Sequence, residues 1–244
     1  MPRFFVKGKP SGEYWIGGED GRHITRSLRM KPGERLTLCD GEGYDYLCTL
    51  LHCGEEGALV TVEESRKTAS EPETRVTVCQ CLPKSDKLET VVQKAVELGA
   101  WEIQPVESSR CVVKLGGRTA EKKVARLQKI ALEAAKQSGR GIVPQVLQPV
   151  PLRRALEHAA REGELLFFYE EGTESLRETL KNTGDRLFLF VGPEGGFSRE
   201  EAELAASFGA KLLTLGPRIL RTETAPVAAL AAIFYEKGDM EISR

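Results

Sequence analysis

Two loops near the C-terminus hold the residues best suited to chemistry. In Val191-Gly-Pro-Glu-Gly-Gly-Phe-Ser198, glycines 192, 195 and 196 follow a short apolar run. Glycine lets backbone approach a ligand closely and allows positive φ. Ser198 and Glu201 are spaced as a capping box, so a helix is expected to begin there, with unpaired N–H groups that favour a carboxylate or other polar ligand. The second loop is Gly216-Pro-Arg-Ile-Leu-Arg-Thr-Glu-Thr-Ala225. Ile219 and Leu220 are bulky apolar residues in a polar loop, a wasteful placement unless they meet something flat and apolar. Arg221, Thr222, Glu223 and Thr224 add charge and hydroxyls, and Pro226 suits a first helical turn. An adenine ring held between backbone and aliphatic side chains would account for this mixture. A capped helix start with an incidental salt bridge is the simpler alternative. Neither loop has the spacing of a dinucleotide fingerprint or a Walker A loop, which lowers the weight of a nicotinamide or nucleoside-triphosphate ligand.

The loops lie about two dozen residues apart, each after a strand-like run. They can therefore sit side by side at the C-terminal edge of one parallel sheet, where α/β proteins commonly bind ligands. From Arg75 onward the pattern alternates strand and helix, with strands expected over 76–82, 102–106, 165–169, 187–191 and 211–215. Asp86 with Glu89 reads as a capping box, Leu88, Val91, Val92, Ala95 and Leu98 form one stripe, and Gly99 closes that helix. Thr119 is placed to cap a longer helix carrying Val124, Leu127, Ile130, Ala131, Ala134 and Ala135. The expected class is α/β, a parallel sheet covered on both faces. Residues 1–70 read instead as hairpins of a small β-barrel or sandwich with one short helix around 23–30, and the polar run 64–74 as a linker. The final helix, over 225–234, is apolar on every side, so complete burial is expected, inside the domain or against a second copy in a homodimer.

Composition sets the bounds. The 244 residues fit one large domain or two small ones, with 41% hydrophobic and 29% charged content. The longest apolar stretch, 225–235, is too short to span a bilayer, and the N-terminus lacks signal-peptide features, so a cytoplasmic location without a membrane partner is expected. Six cysteines (39, 48, 53, 79, 81, 111) include no Cys-x-x-Cys pair and read as reduced thiols. His23, His52 and His158 form no cluster, so no metal is expected. Net charge is −1, which argues against a generic polyanion binder. Residues 1–35 nevertheless carry eight Lys/Arg against four acids, a possible phosphate-contacting surface.

Taken together, Val191-Gly-Pro-Glu-Gly-Gly196 and Leu215-Gly-Pro-Arg-Ile-Leu-Arg-Thr-Glu-Thr-Ala225 resemble the cofactor-binding signature of the ribosomal RNA small subunit methyltransferase E family, of the SPOUT superfamily. The resemblance extends over nearly the whole chain. It includes Arg3-Phe-Phe-Val6, Leu28-Arg-Met-Lys-Pro-Gly33, Asp40-Gly-Glu-Gly43 and Lys84-Ser-Asp-Lys-Leu-Glu-Thr-Val-Val-Gln-Lys-Ala-Val-Glu-Leu-Gly99. It continues through Arg110-Cys-Val-Val-Lys114 and Glu133-Ala-Ala-Lys-Gln-Ser-Gly-Arg140. Lys136, Cys111 and Arg22 depart from the usual residues of that pattern.

The resemblance implies an N-terminal PUA-like RNA-binding β-barrel over 1–70 and a C-terminal SPOUT-type parallel sheet with a deep trefoil knot over 71–244. It further implies a homodimer that uses S-adenosyl-L-methionine to methylate N3 of one uridine in 16S ribosomal RNA, as naked rRNA or in the assembled small subunit. Nothing in the periodicity would have suggested a knot. The cofactor is then expected along Phe190, Val191, Gly192, Pro193, Glu194, Gly195 and Gly196, and along Leu215, Gly216, Ile219 and Leu220, with Thr222, Thr224 and Ala225 at the rim. Arg221 is the candidate to stabilise the uracil anion, with Arg140 or Arg110 next. Glu194 and Glu223 are candidate bases or structural anchors. Arg3, Arg26, Arg29, Lys31, Lys84, Arg110 and Arg140 are expected to contact RNA. Two competing readings remain. One is a SPOUT RNA ribose 2′-O-methyltransferase, disfavoured because its relatives carry Ser-Leu-Asn where this chain has Arg221-Thr-Glu-Thr224. The other is a non-catalytic RNA-binding ribosome-assembly factor, disfavoured by the intact cofactor loops.

Overall fold

Strands of three to eleven residues build the N-terminal sheet. Its strands are β1 (Arg3–Phe5), β2 (Glu13–Gly17), β3 (Arg35–Cys39), β4 (Tyr44–Gly54) and β5 (Gly57–Lys67), in the order β1-β3-β4-β5-β2. Every pairing is antiparallel except β1 with β3. The computed structural model describes residues 1–241. They form two compact units, Met1–Glu71 with Ala135–Val143, and Pro72–Ala134 with Pro144 onward. Phe4, Ile16, Ile24, Leu36, Leu38, Leu50 and Val60 fill the core of the first unit.

Two local expectations change here. The short helix starts earlier than residue 23, as α1 (Gly18–Arg22), and runs on into a π-helical turn, His23–Ser27. Residues 64–67 are strand rather than linker, since Tyr44 pairs with Lys67 and Asp45 with Arg66. That half of β5 is exposed throughout, so it carries the polar composition of a linker.

The second unit is built on β6 (Arg75–Cys81), β7 (Glu102–Glu107), β8 (Gln145–Val146), β9 (Val150–Pro151), β10 (Glu164–Phe168), β11 (Arg186–Val191) and β12 (Lys211–Leu213). The order is β12-β10-β11-β6-β7-β8, with β9 also beside β7, and all pairings are parallel. Continuous rather than alternating burial, as in β6, β10 and β11, is what a sheet covered on both faces requires. Its helices are α2 (Lys87–Leu98), α3 (Gly117–Ser138, of which the residues from Ala135 belong to the first unit), α4 (Leu152–Glu162), α5 (Leu176–Leu180), α6 (Arg199–Ser207) and α7 (Ala225–Lys237).

Helix ends follow local chemistry in part. Gly99 closes α2 in the left-handed region at φ 108°, and Ser198 with Glu201 makes the expected capping box on α6. Asp86, however, caps nothing with its side chain, whose Oδ1 lies 3.9 Å from Lys123 Nζ, and Glu89, instead of reaching back to complete the box, bonds Lys123 and Arg126, both at 2.8 Å. Thr119 lies inside α3, which begins two residues earlier at Gly117. All six cysteines are free thiols. Helix α7 is also not enclosed on every side. Pro226, Ala229, Leu230, Ile233 and Phe234 are buried, whereas Val227, Ala228, Ala231 and Ala232 are half-buried and Tyr235 is 71% exposed.

Candidate active site

Strand order brings the two Gly-Pro loops together although their strands are not neighbours. β10 lies between β11 and β12, and the loops leaving β11 and β12 close over its C-terminal end. They enclose a cleft of about 660 Å³ lined by Val191, Gly192, Pro193, Glu194, Gly195 and Gly196 of the first loop. The second loop contributes Thr214, Leu215, Gly216, Pro217, Arg218, Ile219, Leu220, Arg221 and Thr222, and Ala225 closes the wall. Phe168, Tyr169 and Glu170 at the end of β10, Leu213 of β12 and Lys87 of α2 complete it.

Each glycine of the first loop has its own reason. A Cβ on Gly192 would meet Gly196 Cα at 3.1 Å and the Phe197 backbone nitrogen at 3.2 Å, so the loop doubles back on itself there. Gly196 adopts φ +64°, a region that side chains rarely occupy. A Cβ on Gly195 would meet only the Arg110 side chain, at 3.5 Å.

Beneath the cleft, a buried network joins the loops. The Thr222 hydroxyl donates to the Gly192 carbonyl at 2.7 Å and accepts from Gln80 Nε2 at 3.0 Å. Gln80 is fully buried on β6, and its Nε2 also faces the Gly192 carbonyl at 3.4 Å. Thr222 is 5% exposed and lines the cleft as expected of a rim residue, while its hydroxyl is taken up in joining the loops. Gln80 carried no local sequence signal, being a single amide in a largely apolar strand.

Charge is concentrated on one side of the mouth. Lys87 Nζ lies 3.1 Å from Glu194 Oε1 and 3.3 Å from Glu223 Oε2. Partial burial would push the Glu194 pKa up. Hydrogen bonds from its own backbone N–H and that of Lys84, together with the Lys87 ammonium, hold it below the ordinary carboxylate value. A carboxylate so held is a weak base, and Glu194 fits the role of anchor better than that of proton acceptor. Arg221, by contrast, lines the cleft, is exposed, and its guanidinium makes no ion pair or hydrogen bond with the described residues.

Four other expected site residues lie away from the cleft wall or are engaged within the protein. Phe190 is fully buried against Phe167 and does not line the cleft. Thr224 stands exposed at the N-cap of α7, outside the lining. Among the expected RNA contacts, Arg3 is committed to a two-point pair with Asp45, both bonds 2.8 Å. Arg140 is 2% exposed and bound to Glu71 at 2.6 Å, in the interior of the first unit. Arg26, Arg29 and Lys31 are exposed on the first unit, and Lys84 and Arg110 on the second. Arg110 donates to the Gly195 carbonyl at 2.7 Å and so braces the first loop. Among the described residues, no group of three or more His, Cys, Asp or Glu could hold a metal, and no helix is long and apolar enough to cross a membrane.

Comparison with known proteins converges on one family. An RNA methyltransferase domain model matches residues 70–234, and an RNA methyltransferase PUA domain model matches residues 16–63. Ribosomal RNA small subunit methyltransferase E of Bacillus subtilis is 36% identical, with 97% of each chain covered. The chain belongs to the ribosomal RNA small subunit methyltransferase E family. Its Mycobacterium bovis member is 34% identical over 89% of this chain and 84% of its own length. The crystal structure of the methyltransferase E of Neisseria gonorrhoeae, bound to S-adenosyl methionine, matches with a TM-score of 0.86 at 34% identity, covering 96% of this chain and 97% of that one.

Proposed function

We propose that this protein methylates N3 of a uridine in 16S ribosomal RNA, with S-adenosyl-L-methionine as donor bound in the cleft between the two Gly-Pro loops. The observation that carries this reading is that cleft itself, with Arg221 uncommitted on its wall. The lining suits the cofactor. Backbone of 192–196 and 215–216 can reach polar groups of an adenosyl ligand, and Leu220 and the 81% exposed Ile219 offer apolar contact to its ring. The cofactor supplies an electrophilic methyl group, and the protein supplies placement.

What this chain's residues must do follows from the acceptor. Uracil N3 lies between two carbonyls and is weakly acidic, and loss of its proton places charge on O2 and O4. The free Arg221 guanidinium is positioned to stabilise that charge. In a duplex N3 is hidden in the base pair, so the target uridine must be unpaired or flipped out. We assign residues 1–70 to RNA binding as a PUA-like domain and 71–244 to methyl transfer. Exposed Arg26, Arg29 and Lys31, with Lys84 and Arg110, are the proposed RNA contacts. Replacing Arg26 and Lys31 by Ala is expected to reduce the slope of log affinity against log salt by about 1.4 to 1.8, given a slope near −0.7 to −0.9 per phosphate contact. Filter binding at several salt concentrations measures this, and an unchanged slope would remove both residues from the interface.

The same reading brings a trefoil knot through the cleft loops and a homodimer. The half-buried apolar face of α7, with Val227, Ala228, Ala231 and Ala232 on one side, supplies a surface for the second copy. Sedimentation should find a dimer for the wild type and a monomer for Ala231→Arg. A wild-type monomer at micromolar concentration would withdraw the dimer.

The test of function is transfer from labelled S-adenosyl-L-methionine to small subunits or rRNA of a strain lacking the enzyme, with nucleosides resolved by mass spectrometry. N3-methyluridine is the expected product. A ribose-methylated nucleoside, or cofactor binding without transfer, would overturn it.

A further inference from the structure

Three chain segments meet at one ammonium group on the rim of the cleft. Lys87, the first residue of α2, reaches Glu194 of the first loop at 3.1 Å and Glu223 of the second at 3.3 Å. The backbone N–H of Lys84, just before α2, reinforces the grip on Glu194 at 3.1 and 3.4 Å. Glu223 Oε2 has no hydrogen-bond partner among the described residues, so its charge rests on Lys87. We infer that Lys87 is a positioning residue that sets the separation of the two cofactor loops by neutralising one carboxylate from each.

The accessibilities indicate where the effect should show. The side chains of Lys87, Glu194 and Glu223 are 28%, 29% and 23% exposed, and ion pairs open to solvent contribute little to folding. Their influence should therefore fall on the shape of the cleft rather than on the stability of the domain. Without the ammonium, two carboxylates would face each other across the mouth, and like charges so placed drive their carriers apart. The buried Gln80–Thr222–Gly192 network fixes the base of the loops, and the Lys87 clasp fixes their rim. This inference rests on the cleft being the cofactor site. It adds a role for a residue that the loop motifs themselves do not contain.

Calorimetric titration with S-adenosylhomocysteine, alongside thermal unfolding of the ligand-free protein, tests it. Lys87→Met is expected to weaken binding about tenfold with little change in Tm, and Lys87→Arg to bind nearly as the wild type does. Adding Glu223→Gln to Lys87→Met should recover part of the loss, because one of the two opposed charges is then gone. Wild-type binding with an unchanged Lys87→Met variant would overturn the clasp alone, as would a double variant without recovery, which would mean that Lys87 contacts the ligand itself. A wild type that does not bind would overturn the cofactor reading and the clasp with it.

Discussion

Arg221→Ala is expected to lower kcat by about 10²- to 10³-fold, the usual loss when one preorganised donor to a developing anion is removed. Cofactor affinity should change little, because the guanidinium bonds none of the described residues that shape the cleft. The N–H groups of Thr224 and Ala225 bond the Arg221 carbonyl at 2.8 and 3.0 Å and Thr222 beside it is buried, so the backbone is held on its C-terminal side while the side chain is free to meet substrate. Glu194→Gln should cost far less in turnover. Its carboxylate is held ionised by backbone N–H groups and Lys87, and the amide can still accept from the Lys84 N–H. Single-turnover rates at saturating cofactor separate the two. Comparable losses in both variants would reassign Glu194 as a participant in proton removal and demote Arg221.

Gly192→Val should impair cofactor binding more than any other single substitution in the first loop. A Cβ there lands 3.0–3.2 Å from backbone atoms of Gly196 and Phe197, which cannot rotate away as a flexible side chain would. Overpacking of this kind typically costs about 1–3 kcal/mol. Borne by the binding-competent loop, that is roughly a 5- to 150-fold loss of affinity. Gly195→Ala is the internal control. Its new methyl would touch only the aliphatic part of Arg110 at 3.5 Å, an ordinary contact, and affinity should stay near that of the wild type. Titration with S-adenosylhomocysteine reads both, and equal behaviour of the two variants would mean that close approach at Gly192 is not what shapes the loop.

The features legible in the residues alone are those that local chemistry controls. The capping box of Ser198 and Glu201, the left-handed closure at Gly99 and the continuous apolar strands of a doubly covered sheet all depend on neighbours within a few positions. The two Gly-Pro loops were legible for the same reason, and they supply most of the cleft wall. Local reading failed where a distant group competed. Asp86 and Glu89 have the spacing of a capping box, yet Glu89 bonds Lys123 and Arg126, 34 and 37 residues away, whose cationic groups outbid a backbone N–H. Arg3 and Arg140 look like surface cations in sequence, but Asp45 and Glu71 draw them inward.

The sequence by itself determined the elements, the α/β class, the loops that bear the site and, through motif order, the family. Only the tertiary structure decided that β10 separates β11 from β12, and so that Phe168, Tyr169 and Glu170 join the cleft. It alone also brought Lys87 and Gln80, each more than a hundred residues before the loops they hold, to the rim and base of that cleft. The physical reason is that turns and caps are set by bonds between near neighbours. Strand order and buried polar pairs are set by which distant groups can jointly exclude water and satisfy one another's hydrogen bonds.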